Sequence, residues 1–411
     1  MSQPTFISSF LKHTAIYESP TSFWKWSAYA TISALLNERC YIKMGDSPLF
    51  PNLYILLLAN SSLHRKNRPI EFSESYVHAI APNLKIISGR SSVEAILDEL
   101  SRSETDENTG KVKKSSAAMF YAPELAAGIV SDSKGISTLT DIFDFKTNPY
   151  KHRLRTGPCF NLERLVFSMF SATNEDMIKS LFDASVIKGG FLARNMLVVP
   201  SESREPNALL RVDYEALAKS KAVTLSSLTE MCKMHGELEF PNDAVEEYEA
   251  WYKPFNKSYA KKKESSGIIG RIHTHVLKVA MILAANDFSQ CIQKRHVEEA
   301  INECIALLPN YSIFTMSHGK SELSQLGGLV ITELLEAQEH MRSRKELVRK
   351  FWMEGLDSET LDKLAVTLET AGMVQQITSK DGMFIGLTKT CLEMLGQEQK
   401  QEQKCADVKN L

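Results

Sequence analysis

Ile55-Leu-Leu-Leu-Ala-Asn-Ser-Ser-Leu-His-Arg-Lys-Asn-Arg-Pro-Ile70 is the stretch on which the reading of this chain turns. An apolar run stops at a small polar turn, two cations follow, and a segment that can restart as a helix comes next. This is the layout of a strand, a phosphate-binding loop and a helix. Backbone N–H groups at a helix N-terminus, together with one Lys, can hold the β- and γ-phosphates of a nucleotide. The Walker A pattern asks for Gly, four residues, Gly, Lys, then Ser or Thr. Aligned on Lys66, this chain has Asn60 and Arg65 at the two glycine positions and Asn67 in place of the hydroxyl. Asn60, Ser61, Ser62, Arg65, Lys66 and Asn67 are therefore candidate nucleotide-binding residues. An ordinary strand-to-helix turn is the alternative.

The rest of the chain sets the frame. At 411 residues and 43% hydrophobic it can bury a large core in two or three domains. With 48 basic and 50 acidic residues, no global field advertises nucleic acid, so DNA contacts must come from local patches. The seven cysteines include no CxxC pair, which argues against a disulfide framework or zinc site and for the reduced cytoplasm. No window reaches the roughly 18 uncharged apolar residues of a membrane span, and no signal peptide is expected.

Local patterns predict a helix over residues 17–36, with Ser19 as N-cap and Pro20 in the first helical position. Strands are expected at 40–44, 53–58, 86–87, 117–121, 165–171 and 196–199, with Leu58 ending a buried central strand. Ser91 to Glu94 reads as a capping box opening a helix over 93–101. Residues 101–116 read as an exposed loop or hairpin tip and 131–137 as a second polar loop. Strands alternating with helical segments predict an α/β core with a mostly parallel sheet. Beyond Pro206 the pattern turns helical, with helices at 244–252, 267–285 and 296–308. Residues 326–338, 344–352 and 358–371 give three more helices, the last with Ser358 as N-cap and Gly372 as stop. A hairpin around residues 379–382 follows, which completes a winged-helix pattern. The expected division is 1–45 as an N-terminal helical segment, 46–205 as the core, 206–315 as a helical lid, 322–392 as a winged-helix-like domain and 393–411 as a disordered tail.

Several further positions carry chemistry. Glu124 ends a buried strand, where a carboxylate can polarise an attacking water; Pro123 precedes it, where an Asp would serve Mg²⁺. Asn174 follows the 165–171 strand and can sense a γ-phosphate, or simply make a turn. Arg194 follows Gly189-Gly190 and suits an arginine finger or a surface ion pair. Arg271 and Lys278, seven apart, share one face of the 267–285 helix, as a nucleotide contact or a solvated stripe. His273 and His275, two apart, point to different faces and do not make a helical metal site. Lys146, Lys151, Arg153 and Arg155 interleave with Phe143, Phe145 and Tyr150, which suits single-stranded DNA. A second basic run spans Lys257 and residues 261–263, and a third, Arg342, Arg344, Lys345, Arg349 and Lys350, lies beside the winged-helix pattern, with Arg344 and Lys345 as further candidate DNA contacts or a solvated face.

Ser19-Pro-Thr-Ser-Phe-Trp-Lys-Trp26, Leu49-Phe-Pro-Asn-Leu-Tyr54, Ser61-Ser-Leu-His-Arg-Lys66, Pro123-Glu-Leu125, Ser171-Ala-Thr-Asn174, Gly189-Gly-Phe-Leu-Ala-Arg194 and Gly270-Arg-Ile-His-Thr-His-Val-Leu-Lys278, in that order, resemble the helicase part of phage and plasmid primase–helicases. That family resembles AAA+ ATPases of the replicative helicase type. The resemblance spans residues 15–315 and implies an AAA+-like P-loop core with a helical lid. It implies ATP and Mg²⁺ as cofactors, Lys66 on the phosphates, Glu124 orienting water and Asn174 sensing the γ-phosphate. It further implies Arg194 acting in trans and Arg271 acting from the lid. A trans Arg implies a ring-shaped homo-oligomer that moves single-stranded DNA, with a separate primase as a possible partner. Relatives keep the loop glycines and the hydroxyl after the Lys. The competing expectation is thus a replication scaffold or loader that binds DNA or a partner without hydrolysis.

Overall fold

The computed structural model describes residues 4–59, 64–89, 91–105, 112–125, 133–153, 159–174, 190–200, 204–205, 209, 212–259, 267–311, 322–379 and 382–392. Two compact units divide the chain at His318/Gly319. The expected tail at 393–411 lies outside the described residues.

The first unit is mixed α/β. Its chain order begins with α1 (Phe6–His13), α2 (Thr21–Leu36), β1 (Cys40–Met44), β2 (Ser47–Leu49), β3 (Tyr54–Leu58), α3 (Asn67–Ile80), β4 (Ile86–Ser88) and α4 (Val93–Ser101). The short strands β5 (Glu104–Thr105) and β6 (Val112–Lys113) pair antiparallel and precede β7 (Ala117–Ala122) and α5 (Ser133–Asp141). The hairpin β8 (Tyr150–Arg153) and β9 (Cys159–Leu162) leads into β10 (Val166–Thr173). A helical turn, Phe191–Arg194, leads into β11 (Asn195–Val198). Then come α6 (Tyr214–Met231), β12 (Gly236–Glu237), α7 (Asn242–Tyr259), α8 (Ile272–Asn286) and α9 (Lys294–Ala306).

Five strands, in the order β11-β3-β10-β7-β4, make one all-parallel sheet. Every residue of β3, β7 and β10 is buried, as a sheet covered on both faces requires. The chain leaves β3 for β4 at one edge of the sheet, and it leaves β10, the neighbour of β3, for β11 at the other. Right-handed crossovers then put α3 on one face and α4 and α5 on the opposite one. The carboxyl ends of β3 and β10 thus flank a topological switch point, where open α/β sheets bind ligands. Helix α2 is apolar on nearly every face, burying Phe23, Trp24, Trp26, Tyr29, Ile32 and Leu36. Such a helix belongs inside a domain, and α2 packs on both α3 and β10. Ser27 Oγ donates to the Pro69 carbonyl at 2.6 Å, and Thr31 Oγ1 donates to Ser73 Oγ at 2.9 Å, tying α2 to α3.

Several boundaries differ from expectation. Pro20, not Ser19, precedes the first turn of α2, because the Ser19 hydroxyl is used elsewhere. Ser92 caps α4 by accepting from Ala95 N, one residue beyond the expected box. Residues 133–137 belong to α5 rather than to a loop. Helix α8 starts at Ile272 with Arg271 as its cap, so Arg271 is not inside it. The helices α1 and α6 have no counterpart in the sequence reading.

The second unit holds α10 (Glu322–Glu336), β13 (Met341–Ser343), α11 (Arg344–Phe351), α12 (Ser358–Thr370), β14 (Val374–Ser379) and β15 (Gly382–Leu387). Its three strands form an antiparallel sheet in the order β13-β15-β14. Asp357, rather than Ser358, caps α12 by accepting from Thr360 N at 2.7 Å. Gly372 takes a φ of 71° just past the helix, a conformation that costs glycine nothing. Leu326, Val330, Leu334, Leu347, Leu361, Leu364, Val374 and Ile385 form a separate core. Among the described residues no helix is long and apolar enough to cross a membrane, and the cysteines are free.

Candidate functional site

The carboxyl edge of the sheet gathers Lys66, Glu124 and Asn174. Leu58, the last residue of β3, pairs with Thr173 of β10, and Ala59 N donates to the Thr173 carbonyl at 3.3 Å. Asn174 is the next residue, half-buried between the ends of β3 and β7. Glu124 is exposed two residues beyond β7, whose last residue Ala122 pairs with Ser171. Lys66 precedes α3, and its Nζ reaches back to the Ala59 carbonyl at 3.3 Å. Burial pulls its ammonium below the ordinary lysine value, while the carboxylate of Glu124 pulls it the other way. Lys66 therefore lies within the field of Glu124, across the ends of the strands. Asn67 is exposed in the first turn of α3. Asn60, Ser61 and Ser62 lie outside the described residues.

Arg65 is exposed and has a φ of 47°, in the left-handed region. Its Nε faces Glu18 Oε2 at 3.2 Å, and its carbonyl accepts from Ser19 Oγ at 3.1 Å. Its side chain is thus held by an acid of the N-terminal turn, not directed at the end of β3.

Arg194 and Arg271 belong to the opposite edge. Arg194 immediately precedes β11, whose first residue Asn195 pairs with Tyr54, the first residue of β3. A five-residue strand separates its ends by about 13 Å. Arg271 donates from Nη1 and Nη2 to both oxygens of Asp144, at 2.9 and 3.0 Å, and Arg194 Nη2 joins them at 3.0 Å. Burial works against the Asp144 carboxylate, but Arg271, Arg194 and Lys278 outweigh it and hold its pKa low. Arg271 is therefore held at the edge of the sheet opposite Lys66. Asp144 carries no sequence motif that would have singled it out.

Lys278 is buried, so the expected solvated stripe on α8 is not found. Its Nζ donates to Asn52 Oδ1 at 2.7 Å and to the Asn52 carbonyl at 2.9 Å, and lies 4.1 Å from the Phe143 ring centre. Asn52 in turn donates to the carbonyls of Phe143 and Phe167. Burial brings the Lys278 pKa down to about 7, with Arg271 and Arg194 acting in the same direction and Asp144 against it. His275 hydrogen-bonds the Ala193 carbonyl through Nε2, and burial takes its pKa down to about 3, so it is neutral.

The β8–β9 hairpin starts six residues beyond Asp144. Alternation along β8 exposes Lys151 and Arg153, while Tyr150 and His152 are half-buried. Lys146 Nζ lies 4.7 Å from the Tyr150 ring centre. Arg155 lies outside the described residues. The expected aromatic interleaving is corrected here. Phe143 is buried against Tyr54, so its ring is not free to stack on a base, while Phe145 is half-buried and packs on Phe50. Of the second basic run, Lys257 is exposed and residues 261–263 lie outside the described residues.

In the C-terminal unit Arg344 forms an ion pair with Asp362, and Arg342 and Lys350 both pair with Glu333. Lys345 and Arg349 of that run are exposed, and among the described residues no carboxylate lies within ion-pair distance of them. Among the described residues no group of three or more His, Cys, Asp or Glu side chains is arranged to hold a metal ion. No protein-family model matches the chain, and no curated protein matches it.

Proposed function

We propose that this chain is an ATP-driven translocase on single-stranded DNA, with an AAA+-like core and lid and a winged-helix-like C-terminal unit. One observation carries the reading: Lys66 folds back on the end of β3, with Asn174 and Glu124 on the neighbouring strand ends, at the switch point of a parallel sheet. That combination supplies a cation for phosphates, a carboxylate able to accept a proton from water, and an amide able to hydrogen-bond a phosphate oxygen. In this reading Lys66 binds the β- and γ-phosphates, Asn174 contacts the γ-phosphate and Glu124 orients and deprotonates the attacking water.

Mg²⁺ fits less well. Asn67 offers an amide where a hydroxyl is expected and Pro123 stands before Glu124, so no step here depends on the metal. Arg194 and Arg271 act on a neighbour's nucleotide, which makes the working form a ring-shaped homo-oligomer. Lys146, Lys151, Arg153 and Arg155 track the DNA backbone. In the winged-helix-like unit, α12 exposes Glu359, Asp362 and Glu369, and the basic run beside it is largely paired. That charge favours a protein partner, such as a primase, over DNA.

ATP hydrolysis with and without single-stranded DNA, for wild type and Lys66→Ala, tests the proposal. DNA-stimulated turnover lost in the variant is expected; no nucleotide binding at millimolar ATP sinks it. Asn67 and Pro123 favour a second reading, a scaffold or loader without hydrolysis. That reading predicts assembly and DNA binding unaffected by Lys66→Ala.

A further inference from the structure

The loop at Lys66 lacks glycine at position 65, yet Arg65 has a φ of 47°, a conformation that L-residues avoid and glycine adopts freely. Such a residue persists only where its surroundings over-determine it. The surroundings here are the turn Tyr17-Glu18-Ser19. Ser19, 1% exposed, donates its hydroxyl to the Arg65 carbonyl at 3.1 Å. Glu18 holds the Arg65 guanidinium at 3.2 Å, and Arg68 lies over the Tyr17 ring, 5.4 Å from its centre. Arg204 anchors the turn from its other side, donating to the carbonyls of Thr14 and Tyr17 at 2.9 and 3.0 Å and to Thr21 Oγ1.

The Arg65 carbonyl also accepts from Arg68 N at 3.2 Å, so two donors fix its direction. Because the peptide is planar and trans, the Lys66 N–H points opposite to that carbonyl. Fixing one fixes the other, and so sets the direction of the Lys66 backbone N–H at the start of α3.

We infer that Ser19 is a positioning residue for the phosphate loop: it supplies from outside the loop the constraint that holds position 65 in the conformation a glycine would take. This rests on the nucleotide reading above. Glu18 and Tyr17 support it by holding the Arg65 and Arg68 side chains, and Arg204 by fixing the turn.

The test compares glycine with alanine at position 65, which differ in left-handed preference and not in charge. ATP affinity is measured by equilibrium dialysis for wild type, Lys66→Ala, Ser19→Ala, Arg65→Gly and Arg65→Ala. The double variants Ser19→Ala/Arg65→Gly and Ser19→Ala/Arg65→Ala are measured alongside. Ser19→Ala is expected to weaken binding about fivefold, the effect of one lost hydrogen bond. With Ser19 absent, glycine at 65 is expected to bind about fivefold or more tightly than alanine. Equal affinity of the two double variants, or no effect of Ser19→Ala in a protein whose binding depends on Lys66, overturns the inference and leaves the nucleotide reading standing. Absence of Lys66-dependent binding in wild type overturns both. Should Ser19→Ala fail to fold, the single variants decide: Arg65→Ala must bind more weakly than Arg65→Gly, and the reverse order overturns the inference.

Discussion

Lys278 offers the most direct measurement on the amino-terminal edge of the sheet. Its ammonium is buried, bound to Asn52 and set against the Phe143 ring. Asp144, Arg194 and Arg271 act on it from the neighbouring elements, and His275 shares its helix. Its pKa falls from 10.5 to about 7 on folding, chiefly through burial. The folded value is thus depressed. Between pH 7 and 10.5 the unfolded chain binds one proton more than the folded chain. Stability from this group therefore rises with pH across that window, is lost as pH falls toward 7, and is flat below. One proton corresponds to about 1.4 kcal/mol per pH unit, so from about pH 7.5 to about pH 9.5 the group adds roughly 2–3 kcal/mol. Lys278→Met keeps the length of the stem and removes the titration. Urea unfolding of both proteins at several pH values in this range is the assay. Wild type is expected to gain on the variant by that amount as pH rises. Parallel pH profiles would falsify the claim that this lysine folds at the expense of its proton.

Three further outcomes are expected. Leu56→Ala, in the middle of fully buried β3, should cost about 2–5 kcal/mol in denaturant unfolding; a loss below about 1 kcal/mol contradicts the central position of that strand. Lys151→Ala and Arg153→Ala should each lower single-stranded DNA affinity and reduce the salt slope by about 1, whereas Arg344→Ala, whose partner is Asp362, should leave both nearly unchanged. Lys66→Ala and Arg194→Ala, each inactive alone in an ATPase assay, should recover partial activity when mixed, because some interfaces then combine an intact loop with an intact Arg; no recovery at any ratio argues against action in trans.

The sheet was legible because burial on both faces writes a strong signal. Runs such as Leu53–Leu58 and Leu165–Ser171 admit no polar face, and their strands lie within two residues of where the sequence put them. What stayed hidden depends on contacts between distant residues. Ser19 looks like a helix cap because Ser before Pro usually is one, but its hydroxyl is drawn to a carbonyl 46 residues away. Spacing on α8 puts Arg271 and Lys278 on one face without saying what lies opposite. The answer, Asn52, is 226 residues distant from Lys278. Phe143 and Phe145 alternate with cations in a pattern that suits DNA, yet ring direction follows from packing on Tyr54 and Phe50. β13 is only three residues long, and its pairing with β15 gives it no local signature. At the candidate site, Lys66, Glu124 and Asn174 could be read from strand ends, while Asp144 could not, since a lone Asp near two Phe residues is indistinguishable from a surface charge.

The separation of the two edges also bears on how the proposed site works. A nucleotide at Lys66 lies at the carboxyl edge, and Arg194 and Arg271 lie about 13 Å away along the strands, both fastened to Asp144. No rotamer change in either Arg closes that gap through a packed sheet. In the proposed ring, the phosphate that these guanidiniums meet comes from another copy of the chain. Asp144, with a side chain 44% exposed, is then what they must leave, and a more highly charged anion is what could draw them away. In that proposed exchange the threshold is set by Asp144, the carboxylate that both cations hold. Asp144→Asn, which keeps the shape and drops the charge, should lower that threshold.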